Sequence, residues 1–183
     1  MEQISRVSRF FRVLFQAVFI SIVVLNVIAW PQAPEPLTFF TEGSGVIFSV
    51  IPSNIPILHP LTTIQKVYGF LISLVPLLIH LFTIYYLIVL FGLYEKGKIF
   101  FLENVRAIRR IGILLVAKQL VYPLYLAVMT PMLSWHNPVG ERVISTGFSG
   151  SNVGLLVVGV IIILVSWVMA EGCKLQEEHD LTV

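Results

Sequence analysis

Aspartate occurs once in this chain of 183 residues, at Asp180, and cysteine once, at Cys173. A lone cysteine excludes an intramolecular disulfide and a cysteine-rich metal centre. A lone aspartate near the end of the chain excludes a pair of membrane-embedded aspartates working together in proteolysis. Charge is scarce in general: only 12% of residues are Asp, Glu, Lys or Arg, against about 25% in soluble domains. The formal net charge is +2, and the cations are scattered between apolar segments instead of forming a basic face. That distribution argues against direct nucleic-acid binding. Also missing are an HExxH pair, a GxSxG elbow, a glycine-rich phosphate loop, an internal repeat and a low-complexity tract. No catalytic residue, metal ligand or cofactor site is assigned, and the chain is not expected to be an enzyme.

What the sequence does contain is hydrocarbon, with 57% hydrophobic residues and a mean hydropathy of +0.90. A helix needs about 20 mostly apolar residues to cross a bilayer core. Val13 to Trp30, Val67 to Tyr94 and Val153 to Ala170 carry no formal charge if His80 is neutral, and Ile111 to Leu133 is interrupted only by Lys118. The expected fold is an all-α membrane protein, a four-helix transmembrane bundle forming one integral membrane domain over 1–183. Its helices are placed at 8–30, 66–94, 104–133 and 152–175, with outer loops 31–65 and 134–151, a cytoplasmic loop 95–103 and a cytoplasmic tail 176–183.

Basic residues in short loops mark the cytoplasmic side. Arg6, Arg9, Arg12, Lys96, Lys98, Arg106, Arg109, Arg110 and Lys174 fall on one side, and only Lys66 and Arg142 on the other. Both termini are therefore expected in the cytoplasm. The first segment also fits a signal peptide cleaved after Ala29. Against this stand an apolar run longer than the usual roughly 7–15 residues and Trp30-Pro31 directly after the site.

The loop Pro31 to Gln65 holds six of the ten prolines, including Pro52, Pro56 and Pro60, whose spacing denies it a continuous helix. Phe39, Phe40 and Phe48 are expected at the membrane surface. In the second outer loop, "NPVGERVISTGF" carries turn signals, and Val143, Ile144 and Thr146 tolerate a short strand. Together these loops predict a small extracytoplasmic cap, too short for a core of its own. Pro76 and Pro123 predict kinks, which either open a cavity or reflect the frequency of proline in membrane helices.

Three ionisable groups are expected within the membrane. Lys118 lies roughly 12 Å inside the end marked by Arg110 at 1.5 Å per residue, where an ammonium costs about 2.5–3.5 kcal/mol. Its expected partner is Glu171, and the lysine reads either as a structural pair or snorkelling residue or as an ion or ligand contact. His80 sits near the middle of the second helix, either hydrogen-bonded as a neutral imidazole or part of a proton path. Gly150 and Gly154 form a GxxxG that permits close helix approach, and Cys173 reads as an ordinary juxtamembrane thiol.

The ending "QEEHDLTV" is an electrostatic puzzle. Glu171, Glu177, Glu178 and Asp180 lie near a helix C-terminus, already negative, while Arg106, Arg109 and Arg110 lie in the first turns of a helix, already positive. A clasp of Arg106, Arg109 and Arg110 with Glu177, Glu178 and Asp180 would repair both ends. The alternative is arginines on anionic lipid heads beside a solvated tail.

These segments also carry a resemblance. Gly97-Lys98-Ile99-Phe100, Asn104-Val105, Arg109-Arg110-Ile111-Gly112 and the ending Gly172, Leu175, Glu178, Asp180-Leu181-Thr182-Val183 resemble the bacterial membrane proteins of the domain of unknown function 2975 family. The resemblance spans the four-helix layout, but its specific motifs cover only about 30 residues, and Lys118 and the proline-rich loop lie outside the pattern. It implies a multi-pass bacterial inner-membrane protein of no established activity, often encoded beside a small helix-turn-helix regulator of the Xre type. The leading expectation is a regulatory or interaction protein holding a cytosolic partner, such as that regulator, through its basic loop and acidic tail. The alternative is a small transporter or channel subunit using His80, Lys118 and Glu171. Beyond the lipid bilayer and this partner no contact is assigned, no cofactor is expected, and oligomeric state is not legible.

Overall fold

The computed structural model describes residues 2–35, 37–39, 46–51, 57–98, 101–147 and 150–181, with side chains for all of these except 2, 38, 39, 46–48, 150, 151 and 176–181. Among the described residues the chain forms four helices, α1 (Glu2–Gln32), α2 (Thr63–Glu95), α3 (Leu102–Ser134) and α4 (Gly150–Leu181). Two short strands, β1 (Leu37–Phe39) and β2 (Val46–Phe48), pair antiparallel with Leu37 opposite Phe48. In lipid a chain must satisfy its own backbone hydrogen bonds, and an α-helix does so within one segment. Each of the four helices is long and apolar enough to cross a membrane.

The helices outrun the apolar segments that predicted them. Hydropathy marks only the portion suited to hydrocarbon, whereas Glu, Gln, Lys and Leu continue a helix in water. Thus α4 runs past the expected end at 175 to Leu181, and the expected tail 176–183 is largely helical. α2 and α3 are helical through Pro76 and Pro123. The strand expected around Val143, Ile144 and Thr146 is not formed, because α3 takes the amides of that segment. Val143 N–H donates to Ser134 Oγ at 3.1 Å and Ser145 N–H to Thr130 Oγ1 at 2.9 Å. The strands lie instead in the proline-rich loop. The expectation for Phe39, Phe40 and Phe48 at the membrane surface falls outside the described side chains.

Contacts divide the chain into two units. The first comprises Met1–Phe19, Ile79–Leu120 and Ser149–Val183, and the second Ile20–Leu78 and Val121–Phe148.

In the first unit α3 and α4 cross antiparallel at backbone contact. A Cβ built on Gly112 would meet Ile163 Cγ1 at 2.8 Å and Gly159 O at 3.0 Å, and one on Gly159 would meet Val116 Cγ2 at 2.9 Å and Gly112 O at 3.2 Å. Small residues permit such approach between membrane helices. Gly154, part of the GxxxG read from sequence, has nothing within 4 Å of its Cβ position. The connection of α2 to α3 is equally specific. Gly97 has φ +74°, its N–H donates to Tyr94 O at 3.0 Å, and Lys98 N–H donates to Leu93 O at 3.1 Å. This is a Schellman C-cap, which favours glycine at the left-handed position. The buried Asn104 then closes the loop by donating from Nδ2 to Lys98 O.

In the second unit a buried cluster of Trp30, Ala33, Ile51, Leu61, Met129 and Leu133 joins helix ends to loop residues. Thr62 and Gln65 make a capping box: Gln65 N–H donates to Thr62 Oγ1 at 3.3 Å, and Thr62 N–H to Gln65 Oε1 at 3.0 Å. Gln65 Nε2 also donates to Met132 O at 3.1 Å, so one side chain caps the start of α2 and holds the end of α3.

The α3–α4 crossing makes a direct prediction. Gly112→Leu or Gly159→Leu must push backbone against backbone and should cost about 1–3 kcal/mol, as overpacking does, lowering the thermal midpoint in detergent. Gly154→Leu should leave it unchanged; an equal loss at all three positions would contradict the crossing.

Candidate functional site

The ionisable groups of the first unit form its candidate site. Lys118 Nζ lies 3.4 Å from His80 Nδ1, and both residues are half-buried. A hydrogen bond from the ammonium requires Nδ1 to accept, which places the imidazole hydrogen on Nε2. The expected pairing of Lys118 with Glu171 is not what the structure shows. Glu171 is exposed and accepts from Lys174 Nζ at 3.2 Å, one turn along its own helix.

Helix register explains the correction. Arg109 faces Ser166, and Gly112 and Val116 face Gly159 and Ile163. Extending that antiparallel register sets Lys118 level with Val157, about 21 Å along α4 from Glu171 at 1.5 Å per residue. No lysine stem covers that distance. The true partner follows from the tight turn at Gly97: two antiparallel helices folded about Lys98 bring position 80 level with positions near 118. Arg110 obeys the same register, donating from Nη1 to Tyr86 Oη at 3.0 Å with its guanidinium carbon 5.1 Å from the ring centroid.

Of the three arginines of the expected clasp, Arg109 donates from Nε to Ser166 Oγ at 3.4 Å, Arg110 is held by Tyr86, and Arg106 is exposed. Glu177, Glu178 and Asp180 lie on the last turns of α4, and their side chains fall outside those described.

A charged cluster that the sequence reading missed lies between α1 and α2. Glu95, the last residue of α2, accepts from Arg9 Nε at 2.7 Å and pairs with Arg12 Nη1 at 2.9 Å. Ser5 Oγ donates to the Glu95 carbonyl at 3.1 Å. The Glu95 side chain is only 13% exposed, while Arg9 remains largely in solvent. Beneath the charges Phe91 packs on Phe11 and Phe15, with ring centroids 5.2 and 5.6 Å apart. Part of the signal was legible: Glu95 is an acid at a helix C-terminus, where it opposes the macrodipole and calls for a nearby cation. The buried Asn26 of α1, 7% exposed with no hydrogen-bond partner for Oδ1, also went unnoticed within an apolar run. Among the described residues no group of three or more His, Cys, Asp or Glu could hold a metal ion.

Four membrane-length apolar helices with ionisable groups paired between them define a multi-pass helical membrane protein. The family described as "Protein of unknown function (DUF2975)" matches residues 26–183, and the chain belongs to that family. The match starts near the end of α1, so Glu95 lies within it and Arg9 and Arg12 outside. No curated protein matches, and no solved structure matches.

Double-mutant cycles test the revised pairing. Lys118→Met combined with His80→Leu should show coupling above about 0.5 kcal/mol, whereas Lys118→Met combined with Glu171→Gln should be additive within that margin. Thermal unfolding in detergent reads both, and the reverse pattern would restore the Glu171 pairing.

Proposed function

We propose that this is a regulatory or interaction protein of the bacterial inner membrane, with both termini in the cytoplasm, that holds a soluble partner on the end of α4. The observation that carries the reading is a contrast among the residues through which the chain resembles its family. Gly97 caps α2, Asn104 closes the α2–α3 turn, Arg109 bonds Ser166, and Gly112 makes the α3–α4 contact. Internal structure accounts for all four. On α4, by contrast, Gly172 has nothing within 4 Å of its Cβ position and Leu175 is 61% exposed, on a helix that continues to Leu181. An exposed leucine where the apolar span gives way to a polar helical extension suits a helix-in-groove contact with a second protein. A small helix-turn-helix regulator is the candidate partner, and the role is one of binding, not catalysis.

The second reading, a small transporter or channel subunit, draws on the Lys118–His80 contact within the span. One experiment separates the two. Deleting Gln176 to Val183 should lower recovery of a soluble partner at least about tenfold, or roughly 1.4 kcal/mol, while the protein still inserts in the membrane. Undiminished recovery after the deletion, with activity lost on changing Lys118 or His80, would favour transport.

A further inference from the structure

The second unit carries a groove that none of the roles above uses. It has a volume of about 530 Å³ and lies between the end of α1 and the start of α2, with walls that include Val27, Trp30, Val67, Phe70 and Leu71. That volume is within the range of about 300–1,000 Å³ typical of ligand sites. Thr63 and Lys66 supply its polar lining, and among the described residues no acidic side chain lines it.

Two features make this a formed site. Trp30 is 2% exposed, its ring fills the space a Cβ on Gly69 would need, and it donates from Nε1 to Ser73 Oγ at 3.0 Å, so the indole wall is fixed. Lys66 is half-buried, and its ammonium donates to the carbonyl of Pro31 at 2.7 Å. An ammonium has three hydrogens, and this bond uses one of them while tethering the charge at the groove. The start of α2 adds the positive end of its dipole.

The occupant follows from where the groove lies. Lys66 is the last charge before the uncharged run Val67 to Tyr94, so hydrocarbon begins at its side. A tryptophan and a lysine at that level match the headgroup boundary, where aromatic rings and cations settle. A ligand that fits must be apolar along the groove and anionic at Lys66. We propose that the groove binds one acidic phospholipid, with an acyl chain along Val27, Phe70 and Leu71 and the phosphate on Lys66 Nζ.

The test uses the full chain with Trp135→Phe and Trp167→Phe, so that Trp30 alone fluoresces, reconstituted in phosphatidylcholine vesicles. Brominated phosphatidylglycerol should quench Trp30 saturably, at a mole fraction about fivefold lower than brominated phosphatidylcholine, the discrimination expected of one lysine near the surface. Lys66→Gln should abolish the preference and Lys66→Arg should keep it. Val67→Phe, which fills the groove and leaves the cation in place, should also abolish it, and decides the matter if Lys66→Gln does not reconstitute. Equal quenching by the two lipids would overturn the proposal in favour of ordinary surrounding lipid. Relief of quenching by excess inorganic phosphate would overturn it in favour of a soluble anion.

Discussion

A carboxylate at the end of one helix, held by two arginines from the start of another, sets the electrostatic terms of the first unit. Glu95 sits where the α2 dipole is negative, and Arg9 and Arg12 reach it from about two and three turns into α1. The acid is misplaced on its own helix. The two guanidiniums compensate it, in a setting where Glu95 is largely shielded from water and the aromatic contacts of Phe11, Phe15 and Phe91 lie close by. Removing one partner of a shielded pair leaves the other without compensation, which costs more than the pair contributes. Within the first unit this triad therefore fastens α1 to α2 beside the aromatic contacts, and Gly97 lies two residues beyond Glu95.

The same reasoning, applied to the sequence, fell on a different pair of helix ends. It matched the arginines of α3 with the acids at the end of α4; two of those arginines have bonds to Ser166 and Tyr86, and the acids' side chains lie outside those described. Hydropathy was sufficient to reveal four spans, because lipid enforces long uncharged runs. It did not reveal which helices touch, since helix contacts in lipid rest on small residues and register, not on hydrophobicity. Gly112 was visible only as part of a motif, and its role required knowing that Gly159 lies opposite. Lys118 and His80 were both singled out, yet their pairing required the fold of α2 onto α3 about the Gly97 turn. The strands escaped because prolines dominate the loop that contains them, although "LTF" and "VIF" stand on either side of a glycine- and serine-containing stretch whose composition is a turn signal.

These assignments change what the family pattern says about function. Resemblance concentrated near one face of a membrane first suggests a binding surface. Several of its residues instead build the α2–α3 turn and the α3–α4 crossing, which leaves the exposed positions of α4 as those without an internal role. The functional reading rests on that residue-by-residue subtraction.

Charge reversal at the α1–α2 triad tests the central claim most directly. Glu95→Arg would set three cations together, and the thermal midpoint of the full chain in detergent should fall. Adding Arg9→Glu and Arg12→Glu restores opposite charges and leaves a cation at the end of α2, as its dipole favours. The midpoint should then return most of the way to that of the unaltered chain. A midpoint unmoved by Glu95→Arg, or lowered further by the added reversals, would contradict the account.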